Sequence, residues 1–254
     1  WRGERPSPPA LPTSFAPVDD YSVDAIAVYE HFDSGPSFSS RIYYSFKGHK
    51  PKIPKPIGNI TEWKWWTLTG GTGSPHEVLS GTGNNYNPDI AFSREGYALA
   101  VWDKSYNLGD ITCTPSVGDP YPLTLQQGDI KYRKWNSTDW EPENVSANGS
   151  TNLTSRIQNI YSNPAIAIDN NGKGLLLYFH LQSVYASDCD VNASMKLRYS
   201  VWNGTDFEGD FVLYNFSGPA SATFFHPGVE LAFTSELLNL TANPKTRQKA
   251  VAAW

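Results

Sequence analysis

Asn136-Ser-Thr-Asp-Trp140 is one of three copies of a short motif whose other occurrences are Asn59-Ile-Thr-Glu-Trp63 and Asn203-Gly-Thr-Asp-Phe207. The copies follow one another at steps of 77 and 67 residues. A pattern Asn-x-Thr-acid-aromatic that returns at such spacing predicts an array of one repeated unit. Each unit is too small to bury its own apolar face, so it stacks on its neighbours.

Each copy follows a run of alternating character: Ile42-Tyr-Tyr44-Ser45, Ile130-Lys-Tyr132-Arg133 and Leu197-Arg-Tyr199-Ser200. Period-2 alternation predicts a half-buried strand. The Asn-Gly or Asn-Ser that follows predicts a tight turn, with Asn supplying a positive φ and the box aromatic (Trp63, Trp140, Phe207) opening a fourth strand. Upstream strands are read from Asn87-Pro-Asp-Ile-Ala-Phe92 and Asn163-Pro-Ala-Ile-Ala-Ile168, each followed by a polar turn ending in Gly96 or Gly172 and a second apolar run. Those second runs end on Tyr29, Trp102, Tyr178 and Trp254, at steps of 73, 76 and 76 residues. Four strands per unit, the inner pair apolar and the outer pair alternating, predict an all-β fold: a β-propeller of four-stranded antiparallel blades. An immunoglobulin-type sandwich needs about seven strands in about 100 residues, more than this unit holds.

The order Tyr199-Ser200-x-Trp202-Asn203-Gly204-Thr205-Asp206-Phe207 resembles a degenerate Asp box, the turn between third and fourth strands of sialidase-like (BNR-repeat) propellers. The resemblance covers most of the chain and implies a propeller. It implies little about chemistry, because that fold hosts hydrolases, lyases and binding domains alike. Here the Asp stands beside the aromatic instead of early in the turn.

The expected organisation is a single propeller segment: 1–14 the end of a preceding blade, 15–66, 87–145 and 163–214 one blade each, and 226–254 the first half of another. A closed ring of four to eight blades takes more chain, so the sequence is expected to be a stretch of a larger protein. Aromatic residues at 14%, with 20 Gly and 19 Pro, fit strands and turns, and no apolar run reaches membrane-spanning length. A formal charge of −5 leaves no basic footprint for nucleic acid.

Cys113 and Cys189 are 76 residues apart, the same step as Trp102 to Tyr178, and so occupy equivalent second-to-third-strand loops of adjacent blades. A cross-blade disulfide is expected, provided the loops bend within the ~7 Å Cα limit.

Nine of the eighteen asparagines stand in Asn-x-Ser/Thr sequons: Asn59, Asn136, Asn144, Asn148, Asn152, Asn192, Asn203, Asn215 and Asn239. About three or four would arise by chance, and the excess points to N-glycosylation of a secreted or cell-surface protein. At Asn59, Asn136 and Asn203 the turn itself wants Asn and Thr, so a structural reading stands beside the glycan reading. Box turns and fourth-to-first-strand loops such as 143–162 belong on opposite faces, which would place glycan on both.

A sialidase-type centre needs an arginine cluster, a tyrosine–acid pair and a proton donor gathered from several blades. Arg133 and Arg198 fall in different registers, and Glu30, Asp89 and Asp103 show no assembling spacing, so these carboxylates read as solvated strand-end residues and no catalytic residue is assigned. His31 and His180 align, but Lys104 takes the position between them, which argues against zinc. Asp169-Asn-Asn-Gly172 carries oxygen ligands that could hold calcium, but the tetrad is also an ordinary hairpin turn, which is the preferred reading. Trp63, Trp65 and Trp66 could stack on sugars, though alternation sends Trp66 to the opposite face, toward core packing. No cofactor is assigned.

The resulting expectation is an extracellular N-glycosylated propeller serving as a structural or binding module of a cell-surface assembly (S-layer, sheath or filament), with other surface proteins, copies of itself or glycans as partners. Long loops at 66–86, 103–128 and 179–195 would form the contact surface, on the face of 143–162. The alternative is a sialidase-like glycoside hydrolase or polysaccharide lyase completed by residues outside this segment.

Overall fold

A computed structural model describes residues 22–33, 39–49, 64–66, 77–93, 96–136, 139–150, 152–169, 171–216, 230–238 and 245–253. The described residues form fourteen strands and no helix. A first sheet holds β1 (Ser22–Asp33), β2 (Ser39–His49), β3 (Lys64–Trp66) and β4 (Glu77–Val78), with β3 and β4 sharing one edge of β2. The second run is an antiparallel meander of β5 (Asn84–Phe92), β6 (Ala98–Cys113), β7 (Tyr121–Trp135) and β8 (Asn144–Ala147). The third repeats it with β9 (Ile157–Ile168), β10 (Gly174–Tyr185), β11 (Val191–Trp202) and β12 (Phe207–Phe216). A hairpin of β13 (Glu230–Leu238) and β14 (Lys245–Ala253) follows.

The second meander is buried on both faces. Along β6, Ala98, Ala100 and Trp102 pack with Ile26, Ile42 and Tyr44 of the first sheet, while Leu99 and Val101 pack with Ile166, Leu176 and Tyr178 of the third. Alternate side chains of a strand point to opposite faces, so a continuous apolar run can fill two cores at once. The first strands of the later units also touch in series, β5 against β9 and β9 against β13.

The second and third meanders are joined into one eight-stranded sheet where Gln127 and Gly128 pair in parallel with Asn159 and Ile160. A Cβ on Gly128 would sit 2.7 Å from the Tyr161 carbonyl oxygen, and one on Gly149 2.5 Å from that of Gly128, so both glycines are required by close backbone approach.

The repeated motif has a structural meaning at both described copies. The Asn136 and Asn203 side-chain oxygens accept the amides of Asp139 (2.9 Å) and Asp206 (3.0 Å). Each Asp in turn accepts the amide of its box aromatic, Trp140 at 2.7 Å or Phe207 at 2.8 Å. These Asx-type bonds satisfy the turn. The expected positive φ is absent at both asparagines and falls on Gly204 instead, at 108°. Asn is selected here for its oxygen.

The box aromatic then clasps the preceding sheet. Tyr44 lies edge-on to Trp140 (5.6 Å) and Tyr132 edge-on to Phe207 (5.0 Å), the same contact one unit apart. Tyr132 also donates to Asp206 at 2.8 Å, and burial with that carboxylate pushes its phenol pKa up. Trp63, the third box aromatic, lies outside the described residues.

Two expectations are corrected. Asn87-Pro and Asn163-Pro do not open strands: β5 begins at Asn84 and β9 at Ile157, and both asparagines take positive φ (50° and 51°) at an irregularity in the ladder. Proline, lacking an N–H, is tolerated at such bulges. The segments 103–128 and 179–195 are mostly strand, because β6 and β7 stay paired out to Cys113–Tyr121 and β10 and β11 out to Tyr185–Val191. Backbone pairing continues through polar side chains that the reading of apolar runs had stopped at.

In unglycosylated chain, Asn203→Ala should lower stability by about 1 kcal/mol through loss of the turn cap, whereas the exposed Asn215→Gln should change it by less than about 0.5 kcal/mol. Urea unfolding of the two variants side by side checks this; equal midpoints would remove the capping role.

Candidate functional site

Antiparallel meanders place successive turns at alternate ends of the sheet. The box turns at 136–139 and 203–206 occupy one end; the β6–β7 and β10–β11 hairpin tips occupy the other. Cys113 and Cys189 are joined by a disulfide with a Cα–Cα distance of 5.3 Å, tying the two tips together. Arg156 completes the junction. Its guanidinium donates to the Thr112 oxygen (3.0 Å), the Tyr185 oxygen (3.2 Å) and Cys189 Sγ (3.2 Å), and Thr114 N donates to the Ser187 oxygen at 2.8 Å. Sequence reasoning missed Arg156, since nothing in its spacing marks it as a partner of backbone oxygens.

The joined tips expose Val117 (89%) and Tyr121 (47%) amid the exposed carboxylates Asp110, Asp119, Asp188 and Asp190. A fixed, mixed apolar and acidic surface of this kind suits contact better than a mobile loop.

Seven of the nine sequon asparagines fall among the described residues: Asn136, Asn144, Asn148, Asn152, Asn192, Asn203 and Asn215. All seven are exposed, against three (Asn87, Asn107, Asn171) of the seven described asparagines outside sequons. Asn59 and Asn239 lie outside the described residues. The glycan bond forms at Nδ2, and the surroundings of that atom divide the set. Asn144 donates it to the Tyr132 hydroxyl at 3.0 Å and Asn203 to Glu208 at 2.5 Å, while at Asn148 and Asn152 the side-chain oxygens accept from Gln127 Nε2 and Ser155 N.

The acids at Glu30 and Asp103 carry a different role from the solvated one expected. Glu30 accepts the amide of Asn87 at 3.3 Å, and Asp103 accepts that of Asn163 at 2.9 Å, each bridging to the first strand of the following sheet. Asp103 also receives Asn87 Nδ2 (2.8 Å), and Asp89 receives the Ile166 amide (2.9 Å). Asp103 is only 4% exposed, and its burial, opposed by the bonds from Asn87 and Asn163 and reinforced by the Glu30 charge, raises its pKa to about 7. These carboxylates fasten successive meanders together.

Arg198 belongs to a clasp on the third sheet. It bonds Asp210 at 2.5 Å, and Tyr178 (2.7 Å) and Tyr161 (3.3 Å) donate to the same carboxylate. Burial, with the Asp210 charge beside them, pushes both phenols up. His180 stacks on Tyr161 at 4.4 Å and is lowered to about 4 by burial and by Arg198, so it is neutral near pH 7. Protonated phenols, a neutral imidazole and an arginine already paired with its acid tie β12 to the inner strands. Arg133 is remote, on β7 opposite Ala100.

The positions aligned with a metal reading serve unrelated contacts: His31 lies edge-on to Tyr43 (5.3 Å) and Lys104 pairs with Glu143 (3.4 Å). Among the described residues no three His, Cys, Asp or Glu side chains gather as a metal site. Asp169 spends Oδ1 on the amides of Asn171 (2.8 Å) and Lys173 (2.9 Å), the geometry of the hairpin turn between β9 and β10. The Gly172 oxygen in that turn receives the Tyr97 hydroxyl of the neighbouring sheet.

Because the folded pKa of Asp103 lies above its unfolded value near 4, the folded state holds its proton longer. Stability from this group is present below about pH 4 and is lost as pH rises through about 7, by about 4 kcal/mol at most. His180, lowered in the fold, acts oppositely between about 4 and 6.5. Asp103→Asn should therefore leave stability rising more steeply between pH 4.5 and 7 than in the parent chain, read by urea midpoints; parallel profiles would contradict it. Separately, reduction of Cys113–Cys189 should cost about 2–4 kcal/mol, measured by thermal unfolding with and without reductant. No protein-family model, curated protein or solved structure matches this chain.

Proposed function

We propose that this chain is a β-propeller segment of an extracellular N-glycosylated protein, a structural or binding module within a cell-surface assembly such as an S-layer, sheath or filament. The observation that carries the reading is the exposure of every described sequon asparagine, at both ends of the sheets. An array open to modification on both ends suits a protein that works among other glycans. The disulfide between hairpin tips agrees with an oxidising compartment, and no helix among the described residues is long and apolar enough to cross a membrane.

Support for the ring comes from repetition of contacts between sheets. The Tyr–box-aromatic pair and the acid-to-Asn amide bond each recur one unit on, and first strands adjoin in series. A constant operation applied to equivalent sheets generates a ring when the rotation closes. The contact surface is the stapled pair of hairpin tips, and its partners are other surface proteins, further copies or glycans.

Glycopeptide and intact-mass measurement on native material should find glycan at several of the seven exposed sequons, and the purified protein should bind envelope components. Glycan-free, monomeric material without envelope affinity would overturn the proposal. Turnover of a sialoside or polysaccharide panel would favour an enzyme in its place.

A further inference from the structure

The sequons are not spread evenly over the strands. Asn144 opens β8 and Asn148 directly follows it; Asn203 caps the turn into β12, and Asn215 is the last but one residue of β12. Both strands end their meanders, and among the described residues β8 pairs only with β7 and β12 only with β11. An outermost strand presents unpaired N–H and C=O groups to any other strand, and proteins blunt such edges with charge, bulges or cover.

β12 needs cover more than β8. Phe211, Val212, Leu213 and Tyr214 are 49%, 44%, 48% and 51% exposed, an uninterrupted apolar run on an edge strand. The ladder to β11 is irregular on either side of Arg198 and Tyr199, yet the run from Phe211 to Phe216 remains extended. Set antiparallel against the same strand of a second copy, with the centre between Val212 and Leu213, Phe211 faces Tyr214, Val212 faces Leu213 and Asp210 faces Asn215. Aromatic and aliphatic cross-strand pairs stabilise, and no like charges oppose. Asn215 lies inside that register, at an exposed position opposite the copy's Asp210.

We propose that Asn215 is an N-glycan site whose glycan keeps the β12 edge from pairing with a second copy of this chain, with Asn203 guarding the other end of the strand. This rests on the glycoprotein reading and adds a purpose to particular sites. A bulky, solvated glycan within the pairing register excludes the incoming strand by volume, and it does so without altering the apolar side chains themselves.

The test uses the full chain secreted from an N-glycosylating host, with site occupancy read by glycopeptide mass. The glycosylated chain should stay monomeric by light scattering up to high micromolar concentration. The N203Q/N215Q chain should shift with concentration toward twice the monomer mass, and adding V212K and L213K should return it to monomer. An N203Q/N215Q chain that stays monomeric, or one whose association survives V212K and L213K, would overturn the proposal. If Asn215 alone is bare while other sequons are occupied, the edge guard falls and the glycoprotein reading stands; if every sequon is bare, both fall.

Discussion

The contact on which the rest depends is the burial of the second meander on both faces. Leu99 and Val101 look one way, Ala98, Ala100 and Trp102 the other, and each set completes a core that its neighbour begins. A four-stranded sheet exposed on either side could not offset the conformational entropy of its own ordering. Contacts between successive meanders therefore complete the cores that each one begins.

Those bonds form a consistent set. Aromatic pairs join third strand to box aromatic, carboxylates reach from within one second strand to the bulged Asn of the next meander, and glycines at 128 and 149 let backbones approach. Trp202 extends the pattern, donating from its indole to the Tyr97 hydroxyl at 3.1 Å, which in turn reaches the Gly172 turn. Polar groups at these junctions are buried with partners, so they fix the register in which the apolar faces meet.

Much of the strand content was legible because period-2 runs and turn residues report directly on backbone pairing. The equivalences Tyr44 with Tyr132 and Trp140 with Phe207 could be read by overlaying copies, and the structure gives them one shared contact. Cys113 and Cys189 were legible for the same reason. The roles of Asp103, Glu30 and Arg156 were not, since each partner is a backbone amide or carbonyl of another unit, and backbone atoms leave no trace in residue identity. Polar strand extensions beyond Trp102 and Tyr178 were hidden likewise, because the ladder does not require apolar side chains. At the box asparagine the turn uses the side-chain carbonyl oxygen, and not the positive backbone angle that the Asn-Gly pair suggests.

The covalent link between hairpin tips changes how the chain would carry tension. A pull along the polypeptide would cross at Cys113 directly to Cys189, leaving the stretch between them slack over a sequence separation of 76. Unstapled, that stretch could pay out roughly 250 Å of contour length. With the bond in place the box turn at 136–139, the β8 edge and the glycines of the sheet junction sit inside a loop that an external force cannot extend.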